Sequence, residues 1–350
     1  MATAATRVRV ILLIMQSIEI EEEDYSPSDL DAPLAAIARQ VNLKVPPGLA
    51  GMRFDQALAE LLPDYSRSRL TTMIREGAIS LDGAAAQPKT KLLGGESIDA
   101  TLAPRAEESA FLPEPVPLTV IFEDESIIVL DKAPGVVVHP AAGNWSGTLL
   151  NGLLFRNPAV AHLPRAGIVH RLDKDTSGVM VAAKTEAAQF SLVQQLQART
   201  MKRVYVALVR GHVNADGKVD APIGRHPHQR TRMAVLKDHT GAKPAVTHYR
   251  VLDRFAFHTL LECRLETGRT HQIRVHMQSI GFPLEGDPVY GPGMTGIDPG
   301  VRDVIRAFGR QALHARRLTL AHPVTGEERV FESPVAPDMR DFIEFTASLG

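Results

Sequence analysis

Cysteine is nearly absent: the 350-residue chain holds one, Cys263. This excludes an internal disulfide and any thiolate metal cluster built from this chain alone, and it fits a reducing cytosol. A lone cysteine of this kind reads as a small buried apolar side chain. Long apolar runs are lacking too. The one candidate, Val10 to Met15, meets Glu19 and Glu21 to Glu23 soon after; it is too short to span a bilayer, and no small-residue cleavage site follows it. Neither a membrane segment nor a signal peptide is expected, and the cytoplasm is the expected compartment. An excess of charge of one sign is missing as well, with a formal net of -1.

That near-neutral total is unevenly spread. Residues 1 to 31 carry Arg7 and Arg9 against seven carboxylates, a net of -5, which leaves +4 for the rest. A mildly basic body behind an acidic tail permits a polyanionic partner without requiring one. With 44% hydrophobic residues, the chain is long enough for two domains and a sizeable core.

Residues 1 to 44 are acidic and lack a sustained apolar period, so they read as a mostly disordered N-terminal extension. A first domain spans residues 45 to 102. Within it, helical spacing runs from Arg53 to Leu62 and again from Ser66 to Glu76, with Gly77 placed to end the second helix. Ala78 to Leu81, the Asp82-Gly83 turn and the stretch to Ala100 form a small β region. Pro104, Pro113, Pro115 and Pro117 mark residues 103 to 118 as a semi-rigid extended linker. Residues 119 to 350 alternate short β-rich runs (Ser126 to Leu130, Val136 to His139, Gly167 to Leu172, Val179 to Ala183, Val204 to Val209, His258 to Arg264) with helical patterns at Ala187 to Arg199, Thr270 to Ile280 and Arg302 to Phe308. The fold class is therefore α+β, a small domain followed by one built on a mainly antiparallel sheet.

The densest polar cluster, Gly167-Ile-Val-His-Arg-Leu-Asp-Lys-Asp-Thr-Ser-Gly178, lies between two apolar runs. Asp173 and Asp175 are candidate catalytic carboxylates with Arg171 and Lys174 beside them; by spacing alone the segment reads equally well as a charged hairpin tip. A zinc reading lacks ligands, since His271 and His276 are five apart and diverge by about 140 degrees on a helix, and a magnesium site on Asp173 and Asp175 would need further carboxylates that the sequence does not visibly cluster. In Thr267-Gly-Arg-Thr-His-Gln-Ile-Arg-Val-His276, the side chains of Arg269, Gln272 and Arg274 could meet phosphates or a buried carboxylate, or could line a solvated helix face. Arg67, Arg69 and Arg75 in the first domain make a surface suited to structured RNA, although such runs are commonly just solvated.

Taken together these stretches resemble the RNA pseudouridine synthases that modify large-subunit ribosomal RNA, in the D branch of that family. The likeness runs from about Val45 to the C-terminus. His170-Arg-Leu-Asp-Lys-Asp-Thr-Ser-Gly178 resembles the catalytic-loop signature, and Asp131-Lys-Ala-Pro-Gly135 with His139-Pro140, Arg203-Val-Tyr205, Lys243 to Tyr249 and Gly268 to Arg274 follow in the family's order. Asp287 to Tyr290 and Gln311 to His314 resemble later motifs to which no role is assigned. The first domain is similar to an S4 RNA-binding module.

The resemblance implies Asp173 as the catalytic carboxylate, Tyr205 as the active-site tyrosine and Arg274 as the aspartate's basic partner. Lys132, His139, Arg171 and Arg269 join Arg67, Arg69 and Arg75 as candidate RNA contacts. It further implies isomerisation of several uridines in the stem-loop of large-subunit rRNA that touches the small subunit, within ribosomal particles, by a monomer needing no cofactor and no metal. The rival readings are a non-catalytic ribosome-assembly factor, a pseudouridine synthase acting on transfer RNA, and a metal-dependent nuclease built on Asp173 and Asp175. The acidic extension departs from the family, as does Arg203, where many relatives carry lysine.

Overall fold

A computed structural model describes residues 39–102, 110–141, 143–229, 232–236 and 241–349. Residues 1–38 of the acidic extension and residues 103–109 of the linker lie outside these.

The first domain packs two helices on a four-stranded sheet. Its elements are β1 (Arg39–Lys44), α1 (Phe54–Leu61), α2 (Arg67–Arg75), β2 (Ile79–Leu81), β3 (Ala84–Ala85) and β4 (Ser97–Leu102), and the strand order is β1-β4-β2-β3. β1 precedes the boundary expected at residue 45. Alternate apolar Val41 and Leu43 pack on the core while β1 pairs with β4 from Arg39↔Leu102 to Lys44↔Ser97, so these six residues are a strand and not disordered tail. The Ser66 hydroxyl caps α2 by accepting the Arg69 N–H, and Gly77 ends it at φ +77°. Asp82 and Gly83 both take positive φ in the turn between β2 and β3.

The second domain is built around nine strands, β5 (Thr119–Glu123), β6 (Ile127–Lys132), β7 (Ser177–Ala183), β8 (Lys202–Arg210), β9 (Gly217–Asp220), β12 (Val246–Arg254), β13 (His258–Leu265), β14 (Leu313–Ala321) and β15 (Glu328–Glu332). Their order is β5-β6-β7-β14-β8-β13-β12-β9, with β15 on β14. Among the described residues every pairing in this sheet is antiparallel except β7 with β14. β10 (Ile223–Arg225) and β11 (Met233–Val235) form a separate hairpin. Helices α3 (Leu149–Arg156), α4 (Glu186–Gln197), α5 (Gln272–Ser279), α6 (Pro299–Phe308) and α7 (Pro337–Ala347) complete the domain.

All seven residues of β7 are buried, which explains its unbroken apolar run at the sheet centre. Where β7 meets β14, Gly178 sits at φ +115°; a Cβ there would lie 2.2 Å from the Ala315 carbonyl oxygen, so only glycine permits the approach. One cross-strand row then runs Lys132, Gly178, Ala315, Tyr205, Cys263. Directly paired residues share a sheet face. This row carries Lys132 and Tyr205 to the same side.

Two expected strands are absent. Val136 to His139 is an irregular turn between Pro134-Gly135 and Pro140, and Gly167 to Leu172 is extended chain with a single bridge, Ile168 to Ala182, after the left-handed residues Arg165 and Ala166. The described part of the proline-rich stretch is anchored to the second domain. Asn151 on α3 donates from Nδ2 to the carbonyls of Ala110 and Leu112, and the Glu114 amide donates back to the Asn151 carbonyl.

Candidate active site

Asp173 stands on the tight loop entering β7, and that loop is held from several elements at once. Its carbonyls are answered in turn: Asp173 by the Thr176 amide, Lys174 by the Gly135 amide and Lys132 Nζ, and Asp175 by Arg310 Nη1. Gln311 donates to the Thr176 hydroxyl at 3.0 Å. One step along, His314 donates from Nε2 to the Ser333 carbonyl, which leaves Nδ1 to accept the Ser177 hydroxyl. On the other side His170 Nε2 accepts the Val181 amide at 3.1 Å. That bond requires a neutral ring, and burial together with the Arg203 guanidinium pushes the imidazolium down to about 3.

Arg274, on α5, aims the Asp173 carboxylate. Its guanidinium is buried and forks between two acids: Nη1 donates to Asp173 Oδ2 at 3.0 Å, while Nε and Nη2 grip Asp287 at 2.7 and 2.9 Å. Asp287 is fully buried and also accepts the amides of Val289 and Tyr290. Burial opposes its ionisation, but the Arg274 hydrogen bonds and charge with those two amides outweigh it and hold the carboxyl below its usual range. The same two acids keep Arg274 protonated despite its burial. The Arg274 guanidinium also lies 5.0 Å from the Tyr290 ring centroid.

Tyr205 lies on β8 close enough to feel Asp173. Burial is the larger reason its phenol is pushed up, the Asp173 charge adding to it, so it is neutral at neutral pH. Asp173 itself keeps 19% of its side-chain surface open. The site therefore offers one partly open carboxylate, an aiming cation beneath it and a neutral aromatic beside it.

Several expected contacts are placed differently. Lys132, expected to face RNA, is buried, and its ammonium donates to the carbonyls of Ala133, Val136 and Lys174 at 2.8 to 2.9 Å. Burial lowers it to about 7 while the nearby Asp175 and Asp173 charges resist. It supports the Asp173 loop from inside. Gln272 is likewise internal, bonded to Thr267, Arg269, Val246 and Thr247. His276 is tied to Thr247 and the Ala221 carbonyl, and His271 lies outside α5 at its left-handed N-cap.

Among the RNA candidates Arg171 is exposed at the tip beside Asp173, Arg269 is half-buried with Nε on the Pro244 carbonyl, and His139 is half-buried against Phe111. In the first domain Arg67 pairs with buried Asp55, Arg69 lies 5.8 Å from the Tyr65 ring centroid, and Arg75 is exposed at the end of α2. Sequence reasoning assigned no role to Asp287, Tyr290 or Gln311, although both their stretches had been singled out, and it passed over Arg310. It weighed His271 only as a metal ligand. No spacing rule shows that the chain returns to Arg274 thirteen residues on, at Asp287.

Two outcomes follow from this construction. Asp287→Ala leaves Arg274 buried with one counter-charge, and denaturant unfolding should show a loss of about 3–5 kcal/mol; a loss below about 1 kcal/mol contradicts the fork as a structural element. For His170, between its ordinary 6.5 and about 3 the unfolded chain binds a proton that the folded chain does not. Stability should therefore fall on acidification through that window, by on the order of 2–4 kcal/mol more than in His170→Gln, whose amide oxygen still accepts Val181 N–H. Equal acid profiles for the two proteins contradict it.

Comparison with known proteins agrees with this architecture. The RNA pseudouridylate synthase family profile matches residues 126–279, and the S4 domain profile matches residues 52–98. Ribosomal large subunit pseudouridine synthase D of Neisseria meningitidis serogroup A is 53% identical over 327 residues, covering 93% of this chain and 87% of that protein. Its counterpart in Nitrosomonas europaea is 54% identical over 309 residues, 88% of each. The structure of human RNA pseudouridylate synthase domain containing 4 shares the fold, with a TM-score of 0.52 at 24% identity over 65% of this chain and 92% of that one. The chain belongs to the RNA pseudouridylate synthase family.

Proposed function

We propose that this enzyme isomerises uridines of large-subunit ribosomal RNA to pseudouridine, and that Asp173 is the carboxylate that acts on the ribose. The observation that carries the chemistry is the partly open Asp173 carboxylate aimed by buried Arg274. The choice of RNA follows the relatives' name, shared at 53% and 54% identity over most of the chain. An S4 domain ahead of the catalytic sheet suits a structured RNA.

In this reaction the bond from the anomeric carbon to N1 of uracil breaks, the base turns, and the same carbon bonds to C5. The C5 proton leaves and N1 gains one, so substrate and product are isomers and the balance needs no redox partner. Asp173 acts at the anomeric carbon or on the proton of its neighbour, and in either role must be ionised and dry on one side. Arg274 supplies its ion pair. Tyr205, neutral and at the sheet's centre, stacks on the uracil. The target base must leave its stack, at a cost of a few kcal/mol drawn from contacts elsewhere on the RNA. Exposed Arg171, Arg75 and Arg67 suit such contacts, and half-buried Arg269, Arg69 and His139 can add to them.

The finer reading is that the targets are several uridines of the stem-loop that touches the small subunit, reached within ribosomal particles by a monomer in the cytoplasm. No helix among the described residues is long and apolar enough to cross a membrane.

Pseudouridine mapping in cells lacking this protein tests the proposal. Large-subunit rRNA should lose specific pseudouridines in that stem-loop, and a plasmid copy should restore them. An unchanged rRNA profile with altered transfer RNA would move the substrate, and unchanged pseudouridines in both with defective ribosome assembly would favour a non-catalytic factor.

A further inference from the structure

His271 occupies an unusual position. It is the N-cap of α5 at φ +55°, a left-handed conformation uncommon for a residue other than glycine, and it makes no side-chain cap. What its ring does instead is set by Tyr290. The Tyr290 hydroxyl, almost wholly buried, accepts the Met233 amide at 2.8 Å and lies 2.8 Å from His271 Nδ1. Among the described residues Nδ1 is the acceptor left for the phenol's own proton, so that proton goes to Nδ1. Burial keeps Tyr290 protonated and His271 neutral, in agreement with that direction. A neutral imidazole accepting at Nδ1 carries its hydrogen on Nε2.

That Nε2–H faces Asp173 Oδ1 at 4.0 Å, the carboxylate oxygen that Arg274 does not hold. The separation is too long for a hydrogen bond. It is the separation of two groups that each bond one oxygen placed between them at about 2.8 Å. Both side chains reach the surface of the site, with 22% and 19% of their area open. The bridging group must accept from Nε2–H and donate to a carboxylate, which is what a hydroxyl does.

We propose that His271 is a substrate-binding residue that reads the 2′-hydroxyl of the target uridine, accepting it into the gap between imidazole Nε2 and Asp173 Oδ1. This rests on the proposed function above. A carboxylate that approaches the anomeric carbon opposite the departing uracil comes in on the face that bears the 2′-hydroxyl, so that hydroxyl is the sugar oxygen nearest to Asp173. A 2′-deoxynucleotide can neither accept from His271 nor donate to Asp173, and the pair thereby distinguishes RNA from DNA at the reacting nucleotide.

The test uses the full chain and two versions of one RNA, carrying ribose or 2′-deoxyribose at the target uridine. Relative preference is read as single-turnover kcat/KM, or as Kd where one version does not turn over. His271→Asn is the informative variant, because asparagine accepts a left-handed backbone but is too short to fill the gap. Wild-type enzyme should prefer ribose, and the preference should shrink about tenfold in His271→Asn. Tyr290→Phe, which keeps the imidazole but frees its tautomer, should shrink it by a smaller factor. A preference unchanged in both variants, with normal wild-type turnover, overturns the assignment of His271 alone. Wild-type enzyme that fails to convert the ribose RNA overturns the proposed function as well.

Discussion

The candidate site depends on one buried guanidinium. Arg274 joins Asp173, 101 residues earlier in the chain, to Asp287, 13 residues later. A buried cation of this kind is costly to leave unpaired, so the two acids and the cation stand or fall together. Asp287 takes the bidentate grip and the backbone amides of the next turn, which leaves one Arg274 nitrogen free to orient Asp173. The electrostatic division is asymmetric: one acid is sealed and structural, the other half-open. That difference in exposure, more than any difference in residue type, separates the support from the proposed reactive group.

A carboxylate aimed from below still needs a backbone that does not move. The loop from Asp173 to Thr176 has its carbonyls bonded from β6, from the turn after it and from the segment entering β14. Buried Lys132 is central here, since its three donors serve three carbonyls on two segments. The Gly178 contact lets β7 and β14 close to the distance at which Gln311 and His314 reach the loop and its first strand residue. Rigid placement of a reactive group by a second layer of satisfied polar groups is the general requirement for such sites.

Much of this was legible in the amino-acid order, and the remainder failed for identifiable reasons. Local signals held: the helix expected over Ser66 to Glu76, the Gly77 stop and the Asp82-Gly83 turn lie where spacing put them, because each depends on neighbours only. The Asp173 loop was visible as a polar island between apolar runs, and Arg274 as a cation in a motif able to meet a buried carboxylate. The expected strands at Val136 to His139 and Gly167 to Leu172 failed because an apolar run says nothing about whether a partner edge is present. β1 was missed because acidic composition ahead of it masked a short alternation. Strand β14 pairs with β7, whose Ser177 meets His314 from 137 residues away, and its mixed polar pattern follows from those long-range bonds. Lys132 looked like a surface cation by type; only the fold shows three carbonyls converging on it. His271 and Tyr290 were in view as residues, but their mutual hydrogen bond depends on a left-handed turn that no local pattern announces.

The central claim is that Asp173 acts chemically while the surrounding network only holds it. Asp173→Asn preserves volume and an oxygen acceptor for Arg274 while removing the charge. Purified wild type and Asp173→Asn, compared on the same ribosomal RNA fragment, give uridine conversion, RNA affinity and thermal midpoint together. The account predicts that conversion disappears while affinity and midpoint stay close to wild type. Turnover at the wild-type rate in Asp173→Asn would contradict it.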